Sequence, residues 1–379
     1  MKGMKILYII DALAIRGGTE RIIIDKANYL AAHYSYEVHI VTANQGEHPV
    51  AYPLYPSVTH HDLGIRFHLQ YQYRGMKRLI KSRQMSRLYE ERLGAYIQSF
   101  QPDVIASVSE NYNKSIFKKK GNIPLIFESH MSCRFRKFST NSIIEHIKDY
   151  VYKKWLKQVS AIVALTDRDA LEWKKINPHV CVIPDMVSLN PTPTYSFCEA
   201  KSIIFVGRFS TQKGIPSLLK IWELVNQRHP DWQLNMYAGY GDEDENLKSH
   251  IEEKCKGIVL HEPTSDIFNK YKENSMLLLT SRFEPFGLVM PEAMSCGLPV
   301  VSFDCPYGPA EIITDGEDGF LIKNRDIHAF ADKVCQLIEN PPLRKEMGKQ
   351  AIISSQRFSP EKIMPMWKQF FEELTSNSK

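Results

Sequence analysis

Short apolar runs alternating with stretches of helical period restrict the fold of this chain more than any other feature. In the first half the runs are KILYII, EVHIVTA, DVIASV, PLIFES and AIVALT. In the second they are SIIFVG, QLNMYAG, GIVLHE, SMLLLTS and PVVSF. Near-continuous apolar strands separated by helices predict parallel sheets covered on both faces. No repeat of 20–50 residues is present, which excludes a solenoid. The stretch VIPDMVSLNPTPTYSFCEA, with three prolines, reads as a linker. Two doubly wound α/β domains with a cleft between them are therefore expected, over residues 1–188 and 189–358. The amphipathic segment SPEKIMPMWKQFFEEL starts a last helix at Ser359, taken as 359–376.

Composition narrows the class. No run approaches the roughly 20 apolar residues of a membrane-spanning helix. The apolar run near the N-terminus is cut by Asp11, so it reads as a first strand rather than a leader, and the chain as not secreted. The seven cysteines form no C-x-x-C pair and no metal spacing, which argues for free thiols and against zinc. The net charge of +5 hides an asymmetry: residues 1–190 carry 27 Lys and Arg against 17 Asp and Glu, residues 191–379 carry 21 against 26. The basic half is either a set of solvated helix faces or a surface for anionic lipid or an anionic substrate. No nucleic-acid module is recognisable, so no nucleic-acid partner is expected.

In open parallel sheets ligands bind outside the carboxyl ends of the strands, and four strand ends draw attention. Gly17 and Gly18 follow the first strand and open a helix, as a close approach to a ligand or simply a tight turn. His130 ends FESH, placed to donate to a sugar hydroxyl or to serve structurally. Arg208 and Lys213 share the loop of VGRFSTQKG, where two cations suit a diphosphate unless they are merely exposed. Finally, TSRFEPFGLVMPEAMSCG carries Glu284 and Glu292. Pro291 places a helix start near Gly287, with a stop at Gly297. The amides of Phe286, Gly287 and Leu288 would then be free donors for an anion. Glu292 points back along the helix and can accept from vicinal hydroxyls, as on ribose, or merely complement the helix dipole. Asp242-Glu243-Asp244 could suggest a metal-bound nucleotide, but reads better as a solvated loop.

The Glu284/Glu292 pair within SRFEPFGLVMPEAMSCGLPVVSFD closely resembles the signature of family-4 glycosyltransferases, as do VGRFSTQKG, GPAEIITDGEDGFLI and GGTER. The resemblance implies a GT-B fold: two Rossmann-like doubly wound parallel-sheet domains facing across a cleft, with the last helix packed back on the first. It implies a retaining hexosyltransferase that needs no cofactor and no metal. Arg208 and Lys213 would hold the donor diphosphate with the Phe286, Gly287 and Leu288 amides, and Glu292 would take the ribose. Glu284 and His130 would lie near the donor sugar, with Gly17 and Gly18 lining the donor side. GPAEII resembles members that use UDP-sugars to build bacterial surface polysaccharides or lipid-linked oligosaccharides. The expected partners are thus a nucleotide-sugar, a glycan or polyprenyl-diphosphate-linked acceptor, and an anionic membrane surface, with a cytoplasmic, peripheral location at the inner face. A GT-B-fold sugar-nucleotide epimerase and a non-catalytic membrane-associated scaffold are the alternatives.

Overall fold

A computed structural model of the chain describes residues 3–108, 113–133, 143–192, 194–239 and 245–376. The chain divides into two units, one of Met1–Met186 with Ile363–Lys379 and one of Val187–Lys362.

The first unit is built on a seven-stranded parallel sheet of β1 (Lys5–Ile10), β2 (Glu37–Thr42), β3 (Thr59–Asp62), β4 (Val104–Ser107), β5 (Leu125–Glu128), β6 (Ala161–Ala164) and β7 (Val180–Val182). The strands lie in the order β3-β2-β1-β4-β5-β6-β7. Helices α1 (Gly18–Tyr34), α2 (Gly75–Phe100), α3 (Asn113–Lys119), α4 (Ile143–Leu156) and α5 (Asp167–Lys174) make the crossovers. Side chains of a strand alternate between faces, so β1 feeds two cores. Ile6, Tyr8 and Ile10 meet Ile23, Ala27 and Leu30 of α1 on one face. Leu7 and Ile9 meet Met85, Tyr89 and Leu93 of α2 on the other. Each fully buried aliphatic or aromatic side chain of this kind contributes about 1.5–3 kcal/mol.

The second unit carries a six-stranded parallel sheet: β8 (Ser202–Arg208), β9 (Gln233–Gly239), β10 (Ile258–His261), β11 (Leu277–Leu279), β12 (Val300–Phe303) and β13 (Gly319–Ile322). Its order is β10-β9-β8-β11-β12-β13. Its helices are α6 (Ile215–Arg228), α7 (Glu245–Lys254), α8 (Ile267–Lys272), α9 (Val289–Ser295), α10 (Pro309–Ile312), α11 (Ile327–Glu339) and α12 (Pro341–Ser355). Both sheets thus share the doubly wound order of a dinucleotide-binding fold, in which the direction of winding reverses beside the first strand and leaves a crevice. In the second unit that switch point lies between β8 and β11.

The last helix, α13 (Pro360–Ser376), buries Ile363, Met364, Trp367 and Phe371 in the core that contains Ile6 and Tyr8. All ten expected strands are present. Three more, β3, β7 and β13, are found at sheet edges. In the first unit the edge strands are covered less completely, so THHD and the three-residue VCV carry no strong apolar signal, whereas GFLI of β13 is mostly buried. The expected linker is partly packed: Ile183, Met186, Val187 and Cys198 are buried, and the Cys198 thiol donates to Gly297 O at 3.2 Å. Among the described residues, no helix is long and apolar enough to cross a membrane.

Candidate active site

In the second unit, the loop leaving β8 and the loop leaving β11 meet at the switch point. Lys213 ends a short 3-10 turn, Thr211–Lys213, and Gly214 follows with φ +66°. A Cβ at Gly214 would stand 2.4 Å from the Thr280 carbonyl oxygen, so both the backbone conformation and the close approach require glycine. That approach aims Lys213 at Glu284: its Nζ lies 2.6 Å from Glu284 Oε1. Ser281 Oγ donates to the same oxygen at 2.6 Å. The Glu284 backbone is fixed as well. Its amide donates to Pro306 O, and its carbonyl accepts from the amides of Tyr307 and Gly308. Gly308 packs so tightly on Phe286 that a Cβ there would fall 1.9 Å from Phe286 O.

Arg208 closes β8 with an exposed side chain. A further cation comes from beyond β13. Arg325 Nη1 reaches Ser217 Oγ at 3.3 Å and Thr280 O at 3.5 Å. Burial, with Arg282 nearby, pulls its guanidinium below the usual arginine range. Burial, reinforced by the Glu284 charge, pushes the Cys305 thiol well above the usual cysteine range, so Cys305 is a neutral wall of the site. The strand ends therefore bring together one buried ion pair and several cations, a field suited to an anionic ligand.

Helix α9 begins at Val289, two residues after the expected start, with Leu288 as its cap already at helical angles. It ends at Ser295, and Gly297 follows with φ +86°. The amides of Phe286, Gly287 and Leu288 make no hydrogen bond to a described residue. Glu292 lies in the first turn, is buried, and accepts from the Tyr271 hydroxyl of α8 at 3.2 Å. The two acids thus have separate surroundings: Glu284 is neutralised by a cation, whereas a phenol holds Glu292.

In the first unit, Gly17 caps α1 in an extended conformation and Gly18 begins it. A Cβ at Gly17 would meet the Glu20 carboxylate at 2.3 Å. His130 follows β5 and is flanked by two carboxylates: Nε2 lies 3.4 Å from Glu128 Oε2, and Nδ1 lies 3.7 Å from Asp185 Oδ1. Glu128 in turn pairs with Lys26 of α1, and both are almost fully buried. The Lys26 ammonium sits 3.8 Å from the centre of the Trp367 ring. Burial works to raise the Glu128 carboxyl, but Lys26 and His130 overcome it and hold it below the usual carboxylate range. Burial lowers Lys26 and raises Asp185, each partly opposed by the opposite charges around it. Glu128 Oε1 and His130 Nε2 are buried without a hydrogen-bond partner.

Sequence reasoning singled out His130, Arg208, Lys213, Glu284 and Glu292, but not Lys26, Glu128, Ser281, Tyr271 or Arg325. Lys26 did leave a signal: it lies four residues from both Ile22 and Leu30, so the helical period puts a lysine on the apolar face of α1. The Asp242-Glu243-Asp244 string lies outside the described residues. Among those described, no group of three or more His, Cys, Asp or Glu could hold a metal ion.

Comparison with known proteins gives this geometry a family. The family model "Glycosyltransferase Family 4" matches residues 16–190, and "Glycosyl transferases group 1" matches 196–354. An uncharacterized glycosyltransferase of Haemophilus influenzae is 28% identical over 96% of this chain and 99% of its own length. The amylovoran biosynthesis glycosyltransferase AmsD of Erwinia amylovora is 27% identical over 96% of the chain and 98% of its own. Among solved structures, a mutant of S. aureus TarM in complex with Fondaparinux, alpha-GlcNAc-glycerol and UDP superposes with a TM-score of 0.78. It is 16% identical over 97% of this chain and 99% of that one. That last likeness speaks for the fold, which is GT-B. With both family models matched in order and relatives aligned from end to end, the chain belongs to the family-4 glycosyltransferases and is an enzyme of glycosyl transfer.

Proposed function

We propose that this enzyme moves a sugar from a UDP-sugar to a hydroxyl of a glycan or polyprenyl-diphosphate-linked glycan, with retention of anomeric configuration, in bacterial surface polysaccharide synthesis. The observation that carries the reading is the convergence of Lys213, Glu284 and Ser281 at the switch point of the second sheet. A relative named for amylovoran biosynthesis and a UDP complex of a similar fold support the pathway class and the base. The net charge of +10 over residues 1–190 supports an anionic acceptor met at the inner membrane face.

In this reading Arg208 and Lys213 receive the donor diphosphate together with the amides of Phe286, Gly287 and Leu288. Glu292, oriented by Tyr271, takes the ribose hydroxyls. Glu284 aligns Lys213 and lies near the donor sugar. Gly17, Gly18 and His130 belong to the donor side through the family resemblance. Transfer breaks the bond between the anomeric carbon and the leaving diphosphate oxygen and forms one to the acceptor oxygen on the same face. The acceptor proton passes to the departing phosphate. Fixed cations and amides stabilise the negative charge that develops there without reorganising. No metal or cofactor enters the scheme.

A thermal-shift panel of nucleoside diphosphates and nucleotide-sugars, followed by product analysis with the best donor, tests this. UDP and one UDP-sugar are expected to raise the melting temperature, and free UDP to accumulate when acceptor is supplied. Lys213→Ala is expected to abolish the shift and slow transfer by about 10²–10³-fold. A panel with no shift from any nucleoside diphosphate would overturn the donor-site assignment.

A further inference from the structure

The first unit presents a surface that the donor chemistry does not use. Between Asp62 and Glu90 the sequence has no acidic residue and seven Lys and Arg. Residues 71–80, which join a 3-10 turn over Phe67–Gln72 to the first turns of α2, are all exposed. Large apolar side chains stand among the cations: Met76 is 70% exposed, Tyr71 65%, Ile80 50% and Leu79 46%. The core-facing residues of α2, Met85, Tyr89, Leu93, Ile97 and Phe100, all come from its later turns. At about 100° per residue, Met76, Leu79 and Ile80 form a second stripe, set off from the core stripe by roughly 110°. Arg83 and Arg87 continue that second stripe. The Arg78 guanidinium stacks over Tyr71, 4.4 Å from the ring centre, and ties the turn to the helix. Helix α4 of the same unit repeats the spacing with exposed Ile147, Tyr150 and Val151, followed by Lys153 and Lys154.

We infer that the segment from Tyr71 to Arg87 is a membrane-docking surface whose occupant is an anionic lipid bilayer. Charge complementarity selects the occupant: the six cations of this segment, with no intervening acid, match an anionic surface, each contributing about fivefold to partitioning. The exposed Met76, Leu79 and Ile80 are the distinguishing feature. A soluble polyanion would engage the cations and leave these side chains in water, whereas a bilayer takes them into the boundary between headgroups and acyl chains. The inference rests on the membrane-facing part of the proposed function and is independent of the donor site.

Sedimentation of the full chain with phosphatidylcholine vesicles, with and without phosphatidylglycerol, tests it. Binding is expected only with phosphatidylglycerol, and is expected to weaken as salt rises. Arg74→Glu, Lys77→Glu and Arg83→Glu together should reduce it at least about 100-fold. Met76→Ser, Leu79→Ser and Ile80→Ser together should reduce it at least about tenfold. Vesicles should also slow amide exchange over residues 67–87. Three results would overturn the inference: no binding to phosphatidylglycerol vesicles at low salt, binding indifferent to the apolar triple variant, or a dimer in light scattering that this variant converts to monomer. Thermal shifts by UDP, run in parallel on each variant, keep the two readings apart. For the unsubstituted chain, no vesicle binding with an intact UDP shift removes this surface alone, and vesicle binding with no UDP shift removes the donor site alone.

Discussion

Lys26 and Glu128 show how much a single buried charge depends on its partner. A lysine inside the α1 core is tolerated because Glu128 neutralises it and Trp367 offers a π face. Glu128→Gln leaves the Lys26 charge uncompensated, so a loss of about 3–5 kcal/mol is expected in denaturant unfolding at pH 7. Lys26→Met with Glu128→Gln should recover most of that loss, since an apolar side chain of similar length carries no desolvation cost. The pH dependence follows from the direction of the Glu128 shift. Its folded carboxyl titrates below its unfolded value, so its stabilisation is complete above the ordinary carboxylate range and fades as pH falls through the folded value. The wild-type advantage over Glu128→Gln should therefore shrink in acid. An advantage constant down to pH 3 would show that the pair does not act through charge. His130, set between Glu128 and Asp185, was legible as a strand-end residue, but the carboxylates on either side of its ring were not. Neither spacing nor residue type shows that β5 and the segment after β7 converge there.

At the scale of elements, the turn from β8 into α6 decides where the Lys213 charge goes. Gly214 combines φ +66° with a backbone contact that leaves no room for a Cβ. Gly214→Ala should therefore destabilise the second unit by more than about 1 kcal/mol and weaken the thermal shift by UDP, because Lys213 is displaced from Glu284. A variant that melts normally and binds UDP normally would show that the turn does not aim the lysine. The existence of this turn was readable from VGRFSTQKG, and so was the loop with Glu284. Their meeting was not, because 71 residues separate Lys213 from Glu284 and only the parallel β8–β11 pairing brings them together. The start of α9, two residues beyond the expected one, depends in the same way on distant packing, because Phe286 just ahead of it is held against Gly308.

At the scale of the whole molecule, the last helix returns to the core of the first unit from the far end of the sequence. Trp367 is buried there and faces Lys26. Trp367→Ala should cost about 3–5 kcal/mol through the cavity it leaves, and the loss should appear as faster amide exchange in β1, α1 and β5. Exchange in β8–β13 should be unchanged. Equal acceleration in both units would mean that α13 stabilises the molecule in some other way. Alternating apolar runs, turn glycines and the Glu284/Glu292 spacing by themselves determined the fold class, ten of the strands, the family and the loops proposed to hold the donor. These depend on local periodicity and on residue types that a turn or a charge requires. Only the tertiary structure decided which carboxylate neutralises which cation, that a buried lysine lies behind His130, and that one end of α2 is left bare. Pairing and exposure depend on which distant segments the sheets bring side by side, and no local pattern encodes that.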